Sequence, residues 1–326
     1  MKAVVYTRYG TPDVLDIKEV ETPTPKDNEI LIKIYATTVN RTDYATINAI
    51  PFFARIVTGL FRPKRKIPGT EFAGIVEQLG KGVTNKKIGD KVFGFFDMSP
   101  GAQAQYMAID EKLTVEIPEN IAFQQAAASC EGAHYAYCSF KRINLKKGQN
   151  TLIYGASGAI GSAALQLLKH FGMKVTAVVS TRHIDLMASL GADKIVDYTR
   201  KDFTKDDQQY DFVFDSVGKS SFRKCFKLLK PGGVYLSSDL GFLGQNIFLP
   251  LITPVIKPIL GNRKTIFPIP DDIRGSLLLI KDLIEKDEFK SVIDREYPLE
   301  KIVEAYKYVG EKHKTGSVVI TVNHEK

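Results

Sequence analysis

Residues 151–172, TLIYGASGAIGSAALQLLKHFG, constrain this chain more than any other stretch. The apolar run Leu152, Ile153 and Tyr154 reads as a buried strand. Gly155, Gly158 and Gly161 then lead into a run of helix formers that Gly172 stops. A strand, a glycine turn and a helix in that order present unpaired amide N–H groups, at the positive end of a helix dipole, to a pyrophosphate that comes close to the backbone. Ala156 stands where the strict fingerprint has its first glycine, so the pattern is A-x-G-x-x-G and draws its weight from its surroundings.

Those surroundings agree. A second apolar strand, KVTAVV at 174–179, follows the helix, and its tip reads Ser180, Thr181, Arg182, His183. An NAD site places Asp or Glu about 20 residues past the last glycine, to accept from the ribose 2′-hydroxyl. This tip offers two hydroxyls and a guanidinium and no carboxylate, which suits a 2′-phosphate, so NADPH is favoured over NADH. Asp185 argues the other way, but it opens the next helical run, where an acid serves the helix dipole.

A length of 326 residues fits about two domains. With 44% apolar and 25% charged residues the composition is that of a soluble globular protein. The net charge of +8 is spread along the chain, which speaks for a solvated surface and a phosphorylated cofactor rather than for nucleic acid. Cys130, Cys138 and Cys225 show no paired spacing, as expected in a reducing compartment. The first residues enter a strand pattern at once, with no cationic leader, so a cytoplasmic location is expected.

Residues 1–122 carry short strands (2–8, 13–20, 29–40, 72–80, 91–96 and 103–110) punctuated by Gly and Pro, the rhythm of a compact β-rich unit. Residues 123–270 begin with a helical run and continue with six strands alternating with connectors, which predicts a doubly wound parallel sheet. Residues 271–326 hold two helices and a last strand, GSVVITV, expected to return to the β-rich unit. The fold class is therefore α/β.

Several ordered motifs make the chain resemble the medium-chain dehydrogenase/reductases, in the zinc-free quinone oxidoreductase branch that includes zeta-crystallin. They are VNRTDY (39–44), PGTEFAGIVEQLGKGV with IGDKVFG (68–94), QAAAS (125–129), YGASGAIG, SLGADKIVDY (189–198), DSVG (215–218), LLKPGG (228–233) and the tail from residue 298 to 320. The resemblance implies a GroES-like catalytic domain built from both termini, a Rossmann domain between them, and an active-site cleft at their junction. Zinc members carry Cys and His where Asp43 and Thr70 stand here, and the lobe after Val92 lacks the closely spaced cysteines of a structural zinc site, so no zinc is expected. Glu71 alone reads as a structural carboxylate.

Without a Lewis acid the chemistry that suits such a site is hydride transfer to an electrophilic acceptor, a quinone or an α,β-unsaturated carbonyl compound. The resemblance places Asn40 by the nicotinamide and its ribose, with Asp43 orienting neighbours; each could equally cap a helix opening at 41. Tyr44 is a candidate donor to a developing oxyanion or a wall residue. His134 stands where relatives carry Thr, and could donate to the carboxamide or act as proton source, or simply pack. Cys130 and Glu131 read as bystanders. For the cofactor the resemblance assigns Ser157, Gly158, Ala159 and Ile160 to the pyrophosphate and Ser180, Thr181 and Arg182 to the 2′-phosphate. It assigns Tyr198 to the adenosine phosphate and Val217 and Gly218 to the nicotinamide ribose. Ile184 replaces a Lys that relatives use on the phosphate, which leaves the charge to Arg182.

Two stretches lie outside this pattern. Residues 51–66 join an apolar run to a basic one, and residues 244–258 are apolar but broken by three prolines. Neither is long enough to span a bilayer. They read as walls for a large hydrophobic acceptor, as contact with an anionic membrane surface, or as a subunit interface. A low-turnover NADPH-binding protein with an RNA or membrane partner is the alternative function, an alcohol dehydrogenase the weaker one. The family also leads one to expect a homodimer through the strand KTIFPI.

Overall fold

The computed structural model describes residues 1–52, 55–97, 101–239, 245–255 and 258–324. Its contacts divide the chain into one unit of Met1–Glu131 with Ile273–Lys326 and another of Gly132–Asp272.

In the first unit, short runs with alternating apolar residues form β1 (Lys2–Val5), β2 (Asp16–Glu19), β3 (Glu29–Val39), β4 (Glu71–Leu79), β5 (Lys91–Phe95), β6 (Tyr106–Asp110) and β7 (Thr114–Glu116). Helices α1 (Arg41–Asn48), α2 (Arg55–Thr58) and α3 (Phe123–Ala127) interrupt or follow them, and α4 (Glu131–Lys141) carries the chain onward. β3 is the spine, pairing antiparallel with both β4 and β6. Its alternate residues Ile30, Ile32 and Ile34 are fully buried and share one core with Phe72, Val76, Val92 and Met107. That alternation is what a half-covered antiparallel sheet requires. The helical run expected over 124–143 is two helices, because the chain breaks at 128–130 and starts again with the Glu131 amide turned to another partner, described below.

The second unit alternates strands with helices, except that only a short 3₁₀ turn separates β10 from β11. β8 (Asn150–Tyr154), α5 (Ala159–His170), β9 (Lys174–Val179), α6 (Ile184–Ser189), β10 (Lys194–Asp197), β11 (Tyr210–Asp215), α7 (Phe222–Cys225), β12 (Leu229–Ser237), α8 (Gln245–Ile252) and β13 (Lys264–Ile266) follow in turn. The strands pair in parallel in the order β10-β9-β8-β11-β12-β13. This is the doubly wound dinucleotide fold, and its reversal of strand order falls beside β8, whose carboxyl end carries the glycine turn. α5 is buried through residues 161–168, as expected of a helix laid across the centre of a sheet.

The chain then returns to the first unit through α9 (Ile273–Glu285), β14 (Ile293–Pro298), α10 (Ile302–Gly310) and β15 (Ser317–Thr321). β15 pairs antiparallel with β3, so the last strand closes the β-rich sheet, as its sequence leads one to expect. α10 buries Ile302, Ala305, Tyr306 and Val309, one face at helical spacing. The Tyr306 hydroxyl donates to Gln103 Oε1 at 2.9 Å, and Gln103 Nε2 donates to the Thr38 carbonyl at 2.9 Å, all of it buried. Tyr306→Phe leaves the Gln103 carbonyl without its donor and is expected to lower stability by about 1–3 kcal/mol, read as a lower urea midpoint.

Candidate functional site

The cofactor turn is built by geometry that only small residues permit. Gly155 closes β8 with φ +82°, a left-handed conformation. Gly161 lets the first turn of α5 lie on it; a Cβ there would come within 2.2 Å of the Gly155 carbonyl oxygen. The N-cap of α5 is Gly158, which brings no side chain to the open amides that follow it at Ala159 and Ile160. Ser157 and Gly158 are half-buried, at the mouth of the turn. An uncapped helix head over a glycine turn fits a pyrophosphate.

At the end of β9, Ser180 is half-buried and Thr181 and Arg182 are exposed. Asp185 lies in the first turn of α6. A carboxylate that sequence reasoning passed over also stands here. Asp197, the last residue of β10, accepts from the Thr181 and Thr199 hydroxyls at 2.5 and 2.7 Å. It also accepts from the Thr199 amide at 2.9 Å. These hydroxyls hold its carboxyl below the usual range, so it is an anion with its lone pairs engaged. Arg200 lies 3.6 Å from it and is exposed. Tyr198 is half-exposed and meets Tyr154 edge-on.

Val217 and Gly218 form the loop after β11, and the residue that shapes it is Asp215. Its Oδ1 accepts from the amides of Val217 and Gly218 at 3.1 and 2.9 Å. Its Oδ2 accepts from the Ser220 amide at 2.9 Å and the Tyr235 hydroxyl at 3.0 Å. Burial pushes the Asp215 carboxyl up, and these four donors oppose that push.

In the first unit, a buried polar cluster surrounds the start of α1. Asn40 is its N-cap: the Asn40 side chain accepts from the Asp43 amide at 2.8 Å, and Asp43 Oδ2 accepts from the Asn40 amide at 3.2 Å, a reciprocal cap. Asn40 Nδ2 also donates to Thr70 Oγ1 at 2.7 Å and to Glu71 Oε2 at 3.3 Å. Glu71 Oε2 accepts from the Thr38 hydroxyl as well, and Glu71 Oε1 accepts from the Glu131 amide at 2.6 Å. Glu131, fully interior, has its Oε1 2.6 Å from the Thr42 hydroxyl.

Burial pushes the Asp43 and Glu131 carboxyls well up, and the charge of Glu71 adds to both. Glu71 is pushed up less, because Thr38, the Glu131 amide and Asn40 donate to its charged form and the Lys314 ammonium favours it. Lys314 is itself pushed down by burial and pulled back by Glu131 and Glu71. Glu71 and Glu131, read from sequence as a structural carboxylate and a bystander, are the centre of this network. Cys130 is buried with its thiol pushed well up, which leaves it inert.

His134 is buried in α4, with its ring nitrogens 3.7 and 3.9 Å from Cys138 Sγ. Burial pushes the imidazole down to about 4, against the pull of Asp271 and Asp272. It is uncharged at neutral pH and offers the N–H of a neutral ring. Tyr44 packs on the apolar core of the first unit, its ring against Gly310. In the stretch 51–66, Phe52, Ile56, Leu60 and Phe61 are exposed, Phe61 by 86%. In 244–258, Phe248, Leu251, Ile252 and Val255 are exposed, while residues 244, 256 and 257 lie outside the described residues. Among the described residues no helix is long and apolar enough to cross a membrane.

The chain is similar to known proteins over its whole length. Residues 26–119 match the family description "Alcohol dehydrogenase GroES-like domain", and residues 190–320 match "Zinc-binding dehydrogenase". The chain is 33% identical to the 2-methylene-furan-3-one reductase of Solanum lycopersicum, over 98% of its own length and 79% of that protein's. It is 30% identical to the chloroplastic NADPH-dependent alkenal/one oxidoreductase of Arabidopsis thaliana, over the same shares of the two chains. The solved quinone oxidoreductase of Coxiella burnetii superposes with a TM-score of 0.87 at 28% identity, covering 99% of both chains. A GroES-like unit joined to a dinucleotide fold defines a nicotinamide-dependent oxidoreductase. The chain belongs to the medium-chain dehydrogenase/reductase superfamily, in its quinone oxidoreductase branch.

The acid cluster carries a pH signature. The folded Asp43 carboxyl titrates above its unfolded value, so folding takes up a proton; its contribution to stability is complete in acid and is lost as pH rises through the folded value. Asp43→Asn removes that loss while keeping an acceptor for the Asn40 amide. Melting temperature is expected to fall less steeply with rising pH above the ordinary carboxylate range in the variant than in the wild type.

Proposed function

We propose that the protein reduces quinones or α,β-unsaturated carbonyl compounds with NADPH and without zinc. The observation that carries this reading is the uncapped head of α5 above the glycine turn, a site for the dinucleotide pyrophosphate. When bound, NADPH supplies a hydride. The amides of Ala159 and Ile160 bind its pyrophosphate, Ser157 and Gly158 border it, and Tyr198 lies against the adenosine side. The amides of Val217 and Gly218, fixed by Asp215, shape the ribose subsite. Arg182, with Ser180 and Thr181, takes the 2′-phosphate; the engagement of Asp197 by Thr181 and Thr199 supports this, since that carboxylate is not left open for a ribose hydroxyl. The name of the Arabidopsis relative points to the same cofactor.

The zinc-independent part rests on the donor set. Where zinc members place soft ligands, Thr70 and Asp43 are hydrogen-bonded to Asn40, and Glu71 is taken up by three donors. Among the described residues no cluster of His, Cys, Asp and Glu has the arrangement of a metal site. These residues do not fit zinc. The exposed apolar side chains of 51–66 and 245–255 favour a hydrophobic acceptor. The short strand β13, at the end of the second unit's sheet, supports a homodimer by edge pairing.

The test is NADPH oxidation with a panel of quinones, alkenals and saturated alcohols. Turnover is expected with the first two classes, is unchanged by a chelator, and is absent with alcohols and NADP. Arg182→Ala is expected to weaken NADPH by about tenfold or more and NADH little, as loss of one charge-assisted contact implies. Equal losses for the two cofactors remove Arg182 from the phosphate subsite. Flat traces across the panel favour a binding protein of low turnover.

A further inference from the structure

Residues 55–66 of the first unit form a loop whose backbone is held firmly while its apolar side chains are turned to water. The Tyr9 hydroxyl donates to the Gly59 carbonyl at 2.8 Å and accepts from the Thr58 hydroxyl at 2.8 Å. The Tyr6 amide donates to the Lys66 carbonyl at 2.9 Å, and the Lys64 amide donates to the Thr58 carbonyl at 2.9 Å, which closes a turn over residues 58–64. Only glycine fits the start of that turn: Gly59 has φ +126°, and a Cβ there would lie 2.1 Å from the Arg62 carbonyl oxygen. Pro63 is buried within the turn, yet Leu60 and Phe61 at its tip are 55% and 86% exposed. Phe52 and Ile56, which precede them, are 71% and 74% exposed. Large apolar side chains fixed outward by an anchored backbone call for a partner.

Charge identifies the partner. Between Asp43 and Glu71 the chain has no acidic residue, while the loop carries Arg55, Arg62, Lys64, Arg65 and Lys66. Arg62, Lys64 and Lys66 are exposed. The Arg55 guanidinium lies over the Tyr9 and Phe52 rings, 4.8 and 4.7 Å from their centroids, and so keeps a cation beside an exposed ring. Apolar tips among cations match an anionic lipid surface, whose acyl boundary takes the apolar side chains and whose head groups take the ammonium and guanidinium groups. A symmetric contact with a second copy would set these like charges against each other. Nucleic acid would engage the cations and leave Ile56 and Leu60 in water.

We propose that this loop seats the protein on an anionic membrane surface, with Leu60 and Phe61 entering the acyl boundary and Arg62, Lys64 and Lys66 on the phosphate head groups. The inference goes beyond the reductase reading and is tested without turnover. A hydrophobic acceptor dissolves in the same lipid phase, so the two roles of these side chains agree.

Flotation of the full-length protein with vesicles tests the seat. Vesicles of phosphatidylcholine with about 30% phosphatidylserine are expected to carry the protein up, and vesicles of phosphatidylcholine alone to leave it at the bottom. Partition is expected to fall by about tenfold or more between roughly 0.05 and 0.3 M salt. The double variant Arg62→Gln, Lys64→Gln is expected to lower partition by about 30-fold, at about fivefold per cation. Leu60→Ser with Phe61→Ser is expected to lower it by about tenfold or more. Melting temperatures close to that of the wild type show that the variants fold. The chain has no Trp, so Phe61→Trp places the one indole of the protein at the tip. Its emission is expected to shift to the blue on anionic vesicles and to be quenched by brominated acyl chains. Emission that neither shifts nor is quenched overturns the seating of this loop even if the protein floats. Equal flotation on both kinds of vesicle, or variants that float like the wild type, also overturns it. Retention of single-stranded RNA without vesicle binding assigns the cations to nucleic acid and overturns the proposal. A dimer in light scattering that Phe61→Ser dissociates, again without vesicle binding, assigns the loop to a second copy and overturns it too.

Discussion

Glu71 is a carboxyl group placed where water cannot reach it, and the β-rich unit is arranged to satisfy both of its oxygens. An unassisted carboxylate in a protein interior costs several kcal/mol. Here three segments that are distant in sequence each contribute a donor: Thr38 near the end of β3, Asn40 at the junction with α1, and the Glu131 amide at the head of α4. Satisfying one charge thereby fixes the end of the sheet, the start of a helix and the point at which the chain leaves for the second unit. The hydrogen bonds from Tyr306 to Gln103 and from Gln103 to the Thr38 carbonyl tie α10 to the same place. The cost reappears in the neighbours, since burial and the charge of Glu71 push the Asp43 and Glu131 carboxyls well up.

The second unit meets its electrostatic demand differently. It exposes positive potential instead of burying negative charge: an open helix head at the pyrophosphate turn and exposed guanidinium groups at the tip of the sheet. Where it does bury a carboxyl, at Asp215, four donors of one loop and one strand close around it. Asp215 and Glu71 follow one rule, that a buried acid is kept only where it organises backbone.

Much of this was legible in the chain. The glycine turn, the alternation after residue 150 and the return of the last strand come from local patterns, and local patterns survive tertiary context when they are long and periodic. The short strands β7 and β14 were not seen, because three residues (Thr114–Glu116) or a run with charges at its centre (Ile293–Pro298) carry little periodic signal. The break between α3 and α4 was invisible for another reason: it exists because the Glu131 amide bonds a side chain sixty positions earlier, and no window along the sequence contains both. For the same reason Glu131 looked like a bystander beside Cys130. Asp197 is not legible from the end of β9, because the carboxylate comes from the end of the neighbouring strand β10. A buried Glu after a short β-rich run with Thr and Asn nearby is a usable signal only in hindsight of the pairing of β3 with β4.

The central proposal is that the reduced nicotinamide hands its hydride directly to the acceptor, whose second hydrogen comes from an exchangeable source. The most direct measurement is isotopic. Reduction of an enone with NADPH deuterated at the transferred position of C4 should place that deuterium on the β-carbon, and the same reduction with unlabelled NADPH in heavy water should place solvent deuterium on the α-carbon alone. Solvent deuterium at both carbons, or no transfer of the cofactor label, would contradict the account.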